Sequence, residues 1–483
     1  MIYPGYEEFS KLAEKGRRIP VCKAMSFKDD FFELTSRAGV GNSGILFESL
    51  KGSSKISRYS IFAVNPFLTI ESKNGVVKLI QGENCRRFNG NPIEEIRKVL
   101  TKHRTLSLPK VPSFCGGAVG YFSYDAGRWF EKIPDGTIDD TKTPDCQFHF
   151  FNVVFVFDHF DKTLFVVTTA PVDGNLKFNY LEAVKRVEES FAKLKKKRIQ
   201  KSFIRVGKAC PNLTQKQFEK IVGQTREYIF AGDIFQANLS LRLDTPFVGD
   251  SFELYKILRR INPSPFAAYL NFKDIDIVSS SPERLVKVED GIVETRPIAG
   301  TRRRGVDFLE DEKLSADLIL NQKERAEHIM LVDLERNDLG RICDYGSVCV
   351  DELMVIEQYS HVIHIVSNVK GRILSDKDLL DVVRACFPGG TITGCPKIRA
   401  MEIIDELEPT RRGVYTGSIG YLSFSGHMDL NIAIRTIVIK DNVAYAQAGA
   451  GIVADSEPKK EYFESLQKAK AMLKALEEYG KLN

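Results

Sequence analysis

Strand-like apolar runs make the first half of the chain strand-rich, and the second half alternates strand-like and helical segments. The stretch 143–171, TPDCQFHFFNVVFVFDHFDKTLFVVTTAP, holds two β-branched and aromatic runs joined by a short Asp/Lys turn, which predicts a hairpin. Residues 181–198 carry apolar side chains at helical spacing and end in a basic tail. The second half mixes both periods. Strands are predicted at 266–272, 275–281, 284–290, 362–371, 415–425 and 430–440, and helices at 214–233, 310–338, 377–387, 395–409 and 459–480. Hairpins with interspersed helices argue an α+β fold built on antiparallel sheets. The four bases Lys195 to Arg198 read as a solvated helix end running into a linker at 196–212. That linker divides the chain into 1–195 and 213–475. The octets GAVGYFSY (117–124) and GSIGYLSF (417–424) resemble each other and suggest equivalent strands of two sheets.

Composition works mainly by exclusion. The chain has 483 residues, 43% apolar and 28% charged, which suits two to four ordinary globular domains. Lys plus Arg number 69 and Asp plus Glu 64, so the net charge of +5 marks neither a nucleic-acid protein nor a membrane-surface protein. No run approaches the ~20 apolar residues that span a bilayer. The first residues, MIYPGYEEFSKLAEKGRR, mix acids with bases and lack an apolar core, so no secretory signal is expected. Nine scattered cysteines without a CxxC point to a reduced, cytoplasmic protein with neither disulfides nor a zinc site.

Two phosphate-loop look-alikes fail on geometry. GGTITGCPK (389–397) displaces its Lys by two places and puts Pro396 before it. GAGIVA (449–454) is separated from the next helix by Asp455 to Pro458, and no second strand can follow it. What survives is a glycine-rich turn whose amides can hold a carboxylate. The acids say more. Glu324, Glu327 and His328 share a helix face at i, i+3 and i+4, and Glu461 and Glu464 repeat the i, i+3 spacing. Either set alone is what a solvated face looks like. Two such faces could also converge on one hard cation, and Mg²⁺ takes one or two carboxylates, water and an oxyanion substrate. Arg296, Arg302, Arg303 and Arg304 surround Gly300–Thr301, either as an anion cradle or as a hydrated surface turn. Arg435 falls in the apolar run LNIAIRTIVIK, so it needs an acid or an anionic ligand. His364, in VIHIV, is either a hydrogen-bonded core residue or a catalytic base.

Read in order, RPIAGTRRRG (296–305), NQKERAEHIMLVDLERNDLGRI (321–342), YSHVIHIVS (359–367), FPGGTITGCPKIRAMEIIDELEP (387–409), RRGVYTGSIGYLSFSG (411–426), LNIAIRT (430–436) and QAGAGIVADSEPKKEYFES (447–465) resemble the chorismate-utilising enzymes. Within that family they are similar to the large subunits of anthranilate synthase and aminodeoxychorismate synthase. LFESLKG (46–52) and RYSIFAVNPF (58–67) extend the likeness more loosely into the first half. The resemblance implies a fold described for the family as α/β, with two antiparallel sheets packed as a sandwich, surrounding helices, and a cleft for Mg²⁺ and chorismate. It implies that Glu327 and Glu464, with Glu461 close by, bind the metal, and that Glu324 protonates the departing ring hydroxyl. Gly300, Thr301, Tyr415, Arg435, Gly449, Ala450, Gly451 and Lys468 match the substrate-binding set; His364 and Thr391 match active-site positions.

Within the family, Gln236 stands where isochorismate and salicylate synthases carry a water-activating Lys, which favours ammonia as nucleophile. Ala299 stands where aminodeoxychorismate synthases typically carry Lys, and with Gly449–Ala450–Gly451 it leans toward anthranilate. Asn238–Leu239–Ser240, SSPERL (280–285), GGTITG (389–394) and MDLNIAIRT (428–436) lean toward the other enzyme. Glu48 and Ser49, facing Pro265 and Phe266, resemble a tryptophan feedback site. No glutaminase elbow is present, so the resemblance implies a separate glutamine amidotransferase subunit that supplies ammonia. A non-catalytic chorismate-binding module is the remaining alternative, and the complete acid set argues against it.

Overall fold

In a computed structural model, which describes residues 2–50, 58–193, 203–358 and 362–482 apart from the side chains of Lys193 and Thr301, the strands build two antiparallel sheets, of fourteen and twelve strands among the described residues. Most central strands are buried on both faces, which explains why they read as continuous apolar runs. In Gly44–Glu48, Ile45 packs between the sheets while Leu46 packs outward under helices. Phe266–Phe272 alternates likewise, with Ala268 and Leu270 between the sheets and Ala267 and Tyr269 outward. Val119, Tyr121 and Ile419 of the smaller sheet close that inner layer. Helices Gln215–Phe230, Ser251–Ile261 and Pro458–Gly480 cover the outside of the larger sheet, and Pro92–Lys102 and Leu379–Cys386 cover the outside of the smaller one. The antiparallel α+β fold expected from the pattern, and the sandwich implied by the resemblance, are therefore observed.

Several boundaries differ from expectation, and one cause recurs: the chain changes sheet in the middle of an apolar run. The run at 143–171 gives three strands, not a two-stranded hairpin. Cys146–Phe151 joins the smaller sheet, the chain steps across at Asn152, and Val153–Asp158 and Thr163–Ala170 form the hairpin in the larger sheet. The predicted strand 430–440 likewise breaks into Met428–Asn431 of the smaller sheet and Thr436–Lys440 of the larger. Arg435 lies in that break with φ +52°. Ile275–Ser281 and Arg284–Glu289 also belong to different sheets, with Pro282 and Glu283 between them. Buried flanks on both sides hide such a step, because hydropathy is the same before and after it.

Other corrections are local. The helix predicted at 310–338 is two helices, Phe308–Leu320 and Gln322–Gly340, because Asn321 turns out of helical geometry and caps the second by accepting from the Glu324 amide at 3.1 Å. The two similar octets are direct neighbours in one sheet, with Gly120 opposite Gly420, rather than equivalents in two sheets. The glycine-rich turn at 449–451 is instead part of the strand Val443–Ile452, paired along its length with Gln236–Val248. The basic run 195–198 and the first part of the linker lie outside the described residues. The rest of 196–212 supplies two short strands, Arg205–Val206 and Cys210–Pro211, that pair with Gln236–Val248. Segments 1–195 and 213–475 each contribute strands to both sheets, so that division is one of sequence and not of layers. All nine cysteines are free.

One buried ion pair ties these layers together beneath the cleft. Arg412 donates to Glu408 at 2.7 and 2.9 Å, to the Ile392 carbonyl at 3.0 Å and to the Asn238 carbonyl. Glu408 also accepts from the Ser240 amide and hydroxyl, each at 2.8 Å. Removing one member leaves a buried, unpaired charge, which costs about 3–5 kcal/mol, whereas removing both is far milder. Arg412→Met should lose roughly that stability in denaturant titrations, and Arg412→Met/Glu408→Leu should recover much of it. A single variant as stable as the parent chain would contradict the clamp.

Candidate active site

Where the sheets part, a cavity of about 590 Å³ opens between the two acid-bearing helices and the strand changes. Helix Gln322–Gly340 presents Glu324 and Glu327, and helix Pro458–Gly480 presents Glu461, Glu464 and Lys468. Gln236, Ala299, Gly300, His364, Thr391, Tyr415, Arg435, Gly449 and Gly451 complete the expected part of the wall. Nearly every residue singled out from the sequence therefore meets in one chamber. Ala450 is the exception: its neighbours on the same strand face the cavity, and by alternation its methyl turns into the core. Thr301 has its backbone beside the chamber, opposite His364 in the strand pairing.

Local structure explains these placements. A bulge between Ala299 and Thr301 turns Gly300 into the left-handed region, φ +65°. A β-carbon there would press on Leu318 Cδ1 at 2.8 Å and Glu324 Oε2 at 2.9 Å and move them, and the left-handed backbone itself favours glycine. At Gly451 a β-carbon would meet Gln236 Nε2 at 2.5 Å, so the missing side chain is what lets Gln236 reach across. Gln236 then donates to Glu327 Oε1 at 3.1 Å. Lys468 donates to the Gly449 carbonyl at 3.0 Å and lies 2.9 Å from Glu464. His364 Nδ1 is 3.2 Å from the Gly300 carbonyl, and burial lowers the pKa of its imidazole, so it is neutral at pH 7.

The charges are unequally satisfied. The arginine loop is not an anion cradle. Arg296 pairs with Glu352 and Glu357 at 2.7 and 2.6 Å, Arg302 with Asp317 and Glu324 at 2.9 Å each, Arg303 with Glu310 and Arg304 with Asp311. Acids from the two following helices, and for Arg296 from the strand Cys349–Gln358, neutralise the loop. Arg435 is different. Its guanidinium faces the cavity with no hydrogen bond or ion pair among the described residues, and burial lowers its pKa. A cation in that position is poised for an anionic ligand.

The acids carry the opposite problem. Burial raises Glu327, with Glu324 adding to the rise, and burial raises Glu461, with Glu464 adding to it. Among the described residues no three His, Cys, Asp or Glu side chains are gathered tightly enough to cage a metal. Crowded oxygen donors without a closed cage fit Mg²⁺, which uses one or two carboxylates and completes its shell with water and substrate oxygens.

Glu283 was missed from the sequence. It is buried, lines the cavity, and burial pushes its carboxyl up to about 7; its Oε1 has no hydrogen-bond partner among the described residues. Its signal was the Pro282–Glu283 dipeptide between two apolar strands, which reads as a plain turn. Lys323, also in the wall, was missed too.

Glu48, Ser49, Pro265 and Phe266 line a second cavity of about 300 Å³ between the sheets. There Ser49 Oγ donates to the Pro265 carbonyl at 3.3 Å. Glu48 is already committed, accepting from Arg259 at 2.8 Å twice and from the Tyr255 hydroxyl at 2.7 Å.

Comparison with known proteins agrees with this geometry. Residues 46–474 match the family of chorismate binding enzymes. Anthranilate synthase component 1 of Acetivibrio thermocellus is 44% identical, with 100% of both chains covered. Aminodeoxychorismate synthase component 1 of Bacillus subtilis is 42% identical over 95% of this chain and 98% of its own. The crystal structure of anthranilate synthase component I from Streptococcus pneumoniae superposes with a TM-score of 0.76 at 38% identity, covering 88% of this chain and 95% of that one.

Glu283 gives a test that needs no substrate. Burial pushes its carboxyl up to about 7 in the fold from an ordinary 4.5, so folding stability is lost as pH rises between those values. Glu283→Gln should unfold at a higher temperature than the parent above that range, with the gap closing on the acid side. A gap independent of pH would contradict the burial of an ionisable group there.

Proposed function

The chain belongs to the family of chorismate-binding enzymes, and from that premise we propose that it aminates chorismate with ammonia and eliminates pyruvate to give anthranilate, the opening reaction of tryptophan synthesis. The observation that carries this reading is the unpaired Arg435 guanidinium, set in one cavity with acids from two helices. Chorismate carries two carboxylates. Arg435 suits one of them, with Tyr415 beside it and the edge of strand Val443–Ile452 forming the adjoining wall. Glu327 and Glu464, with Glu461 near them, would hold Mg²⁺, which when bound supplies charge stabilisation for the other carboxylate.

The ring hydroxyl is a poor leaving group and needs a proton, a contribution of about 10²–10⁴ in rate. Glu324 was expected to give it, but Glu324 is occupied by Arg302 at 2.9 Å. Glu283, buried in the wall and raised to about 7, is the better proton donor. Gln236 cannot act as a base toward water, which disfavours hydration and leaves ammonia as the nucleophile. Ala299 offers no side-chain nucleophile, so ammonia adds to the ring directly. His364, neutral at pH 7, is suited to take the ring proton as pyruvate leaves.

Aminodeoxychorismate synthesis is the second reading, favoured by the likeness to the Bacillus subtilis enzyme. Ammonia would come from a separate glutamine amidotransferase subunit. The cavity at Ser49, Pro265 and Phe266 is the candidate for a tryptophan effector, with Glu48 acting through Arg259 and not directly. No described helix is long and apolar enough to cross a membrane; a cytoplasmic location is part of this proposal.

Incubation of the chain with chorismate and Mg²⁺ tests the reading. Ammonium salts should yield ortho-aminobenzoate, identified by fluorescence and chromatography, and glutamine alone should yield nothing. A 4-amino-4-deoxy product would replace the anthranilate assignment, and glutamine use by this chain alone would remove the partner. Arg435→Gln should raise KM for chorismate about 10–100-fold, the loss of a charge-assisted contact. Glu283→Gln should lower kcat about 10²–10⁴-fold with chorismate binding retained; a larger loss in Glu324→Gln would return the donor role to Glu324.

A further inference from the structure

Gln236, Asn238 and Ser240 alternate onto one face of the strand Gln236–Val248, and the outer two are committed. Gln236 donates to Glu327 at 3.1 Å, while Ser240 Oγ donates to Glu408 and accepts from Gln447 Nε2, each at 2.8 Å. Asn238, between them, lines the chamber, and its side chain makes no hydrogen bond among the described residues. Its main chain is fixed. The Asn238 amide donates to the Thr393 carbonyl at 2.8 Å, and its carbonyl accepts from Arg412 of the buried ion pair. A polar side chain held in a wall is normally paired, so this idle carboxamide needs a reason.

The neighbouring strand orients that carboxamide. Asn238 pairs with Gly451, and its Oδ1 is enclosed against Gly449, where a β-carbon would come within 2.7 Å of it. With the carbonyl end turned onto glycine, Nδ2 is the end left open to the chamber. Arg435 approaches the same glycines from the other side. It immediately precedes Thr436–Lys440, and that strand and Gln236–Val248 pair with opposite edges of Val443–Ile452. Neighbouring strands lie about 4.8 Å apart, so the two flanking backbones stand roughly 10 Å from each other. Between them Gly449 and Gly451 show the cavity bare main chain. An amide donor and an unpaired guanidinium thus border a floor that brings no acceptor side chain at those two positions.

We propose that Asn238 is a further substrate-binding residue, whose Nδ2 donates to the same carboxylate that the Arg435 guanidinium holds, so that the two side chains grip it from opposite sides of the glycine floor. This rests on reading the chamber as a chorismate site. A carboxylate has two acceptor oxygens, and one cation fixes its charge without fixing its plane. A second, neutral donor on the far side sets that plane, and with it the face of the ring turned toward Glu283. The enclosed Oδ1 keeps the amide from presenting its carbonyl, which would repel the anion.

Calorimetric binding of chorismate without ammonia is the test. Asn238→Leu should weaken binding roughly 10–100-fold, the loss of a hydrogen bond to a charged group. Its unfolding temperature should equal or exceed that of the parent chain, because an enclosed unpaired oxygen is removed. Asn238→Asp, nearly the same shape, should bind more weakly still, since it sets one anion against another. An Asp variant that binds as well as the parent would overturn the proposal and mark the side chain as an acceptor, as for ammonia. Combined with Arg435→Gln, Asn238→Leu should cost less than the product of the two single losses; losses that multiply would place the two side chains on different groups and end the shared grip. A lower unfolding temperature with unchanged binding would make Asn238 structural only. A parent chain that binds no chorismate would overturn the functional reading instead, and the grip is then read with benzoate as the carboxylate probe: thermal protection of the parent that Asn238→Leu lacks upholds it, and equal protection or none overturns it.

Discussion

Two strand runs change sheet side by side, and the chemistry of the cleft follows from that constraint. One crosses from the larger sheet to the smaller at Pro282–Glu283, the other from the smaller to the larger at Ile432 to Arg435. The crossings are laced to each other: the Ser280 amide donates to the Arg435 carbonyl at 3.1 Å, the Ile432 amide to the Glu283 carbonyl at 3.0 Å, and Ser281 Oγ to the Ile432 carbonyl at 2.6 Å. With their backbones bound to each other, the two segments leave both ladders without orphaning their main chains. A carboxyl and a guanidinium on those segments then face the gap between sheets and not a neighbouring strand. Helices Gln322–Gly340 and Pro458–Gly480 close the gap with acids, so one chamber holds an unpaired cation and a crowd of carboxylates.

The same crossings border the second cavity. Arg284, directly after Glu283, and Asn431, directly before Ile432, line it together with Ser49, Pro265 and Phe266. Arg284 is buried and paired with Asp429 at 2.9 Å and Glu294 at 3.2 Å. The second cavity and the acid-lined chamber thus lie on opposite sides of one pair of segments. That arrangement gives a ligand in either cavity a shared structural element to strain or brace.

Much of this was legible in the amino-acid order, and the parts that were not share a physical reason. Period and capping foretold Phe266–Phe272, Ile275–Ser281 and the terminal helix, because each is one element with one environment on each face. The i, i+3 acids at 324/327 and 461/464 foretold a convergence that the fold delivers. Asn152 and Arg435 were misread because hydropathy does not change when a buried strand leaves one buried sheet for another, whereas Glu283 was passed over between two strands whose ends were placed correctly. Arg435 was marked as needing an acid or an anionic ligand from the cost of a charge in a strand, whereas it lies between strands. The arginine loop at 302–304 failed for a different reason: its partners Asp317, Glu310 and Asp311 sit on the next helix, and sequence alone does not reveal that they fold back onto it.

The most direct measurement is a crystal structure of the chain soaked with Mg²⁺ and chorismate. The ring should lie in the chamber with one carboxylate on the Arg435 guanidinium, the metal between Glu327 and the Glu461–Glu464 face, and the ring hydroxyl toward Glu283. A ligand whose carboxylates avoid Arg435, or a metal bound away from both acid helices, would contradict the reading of the cleft.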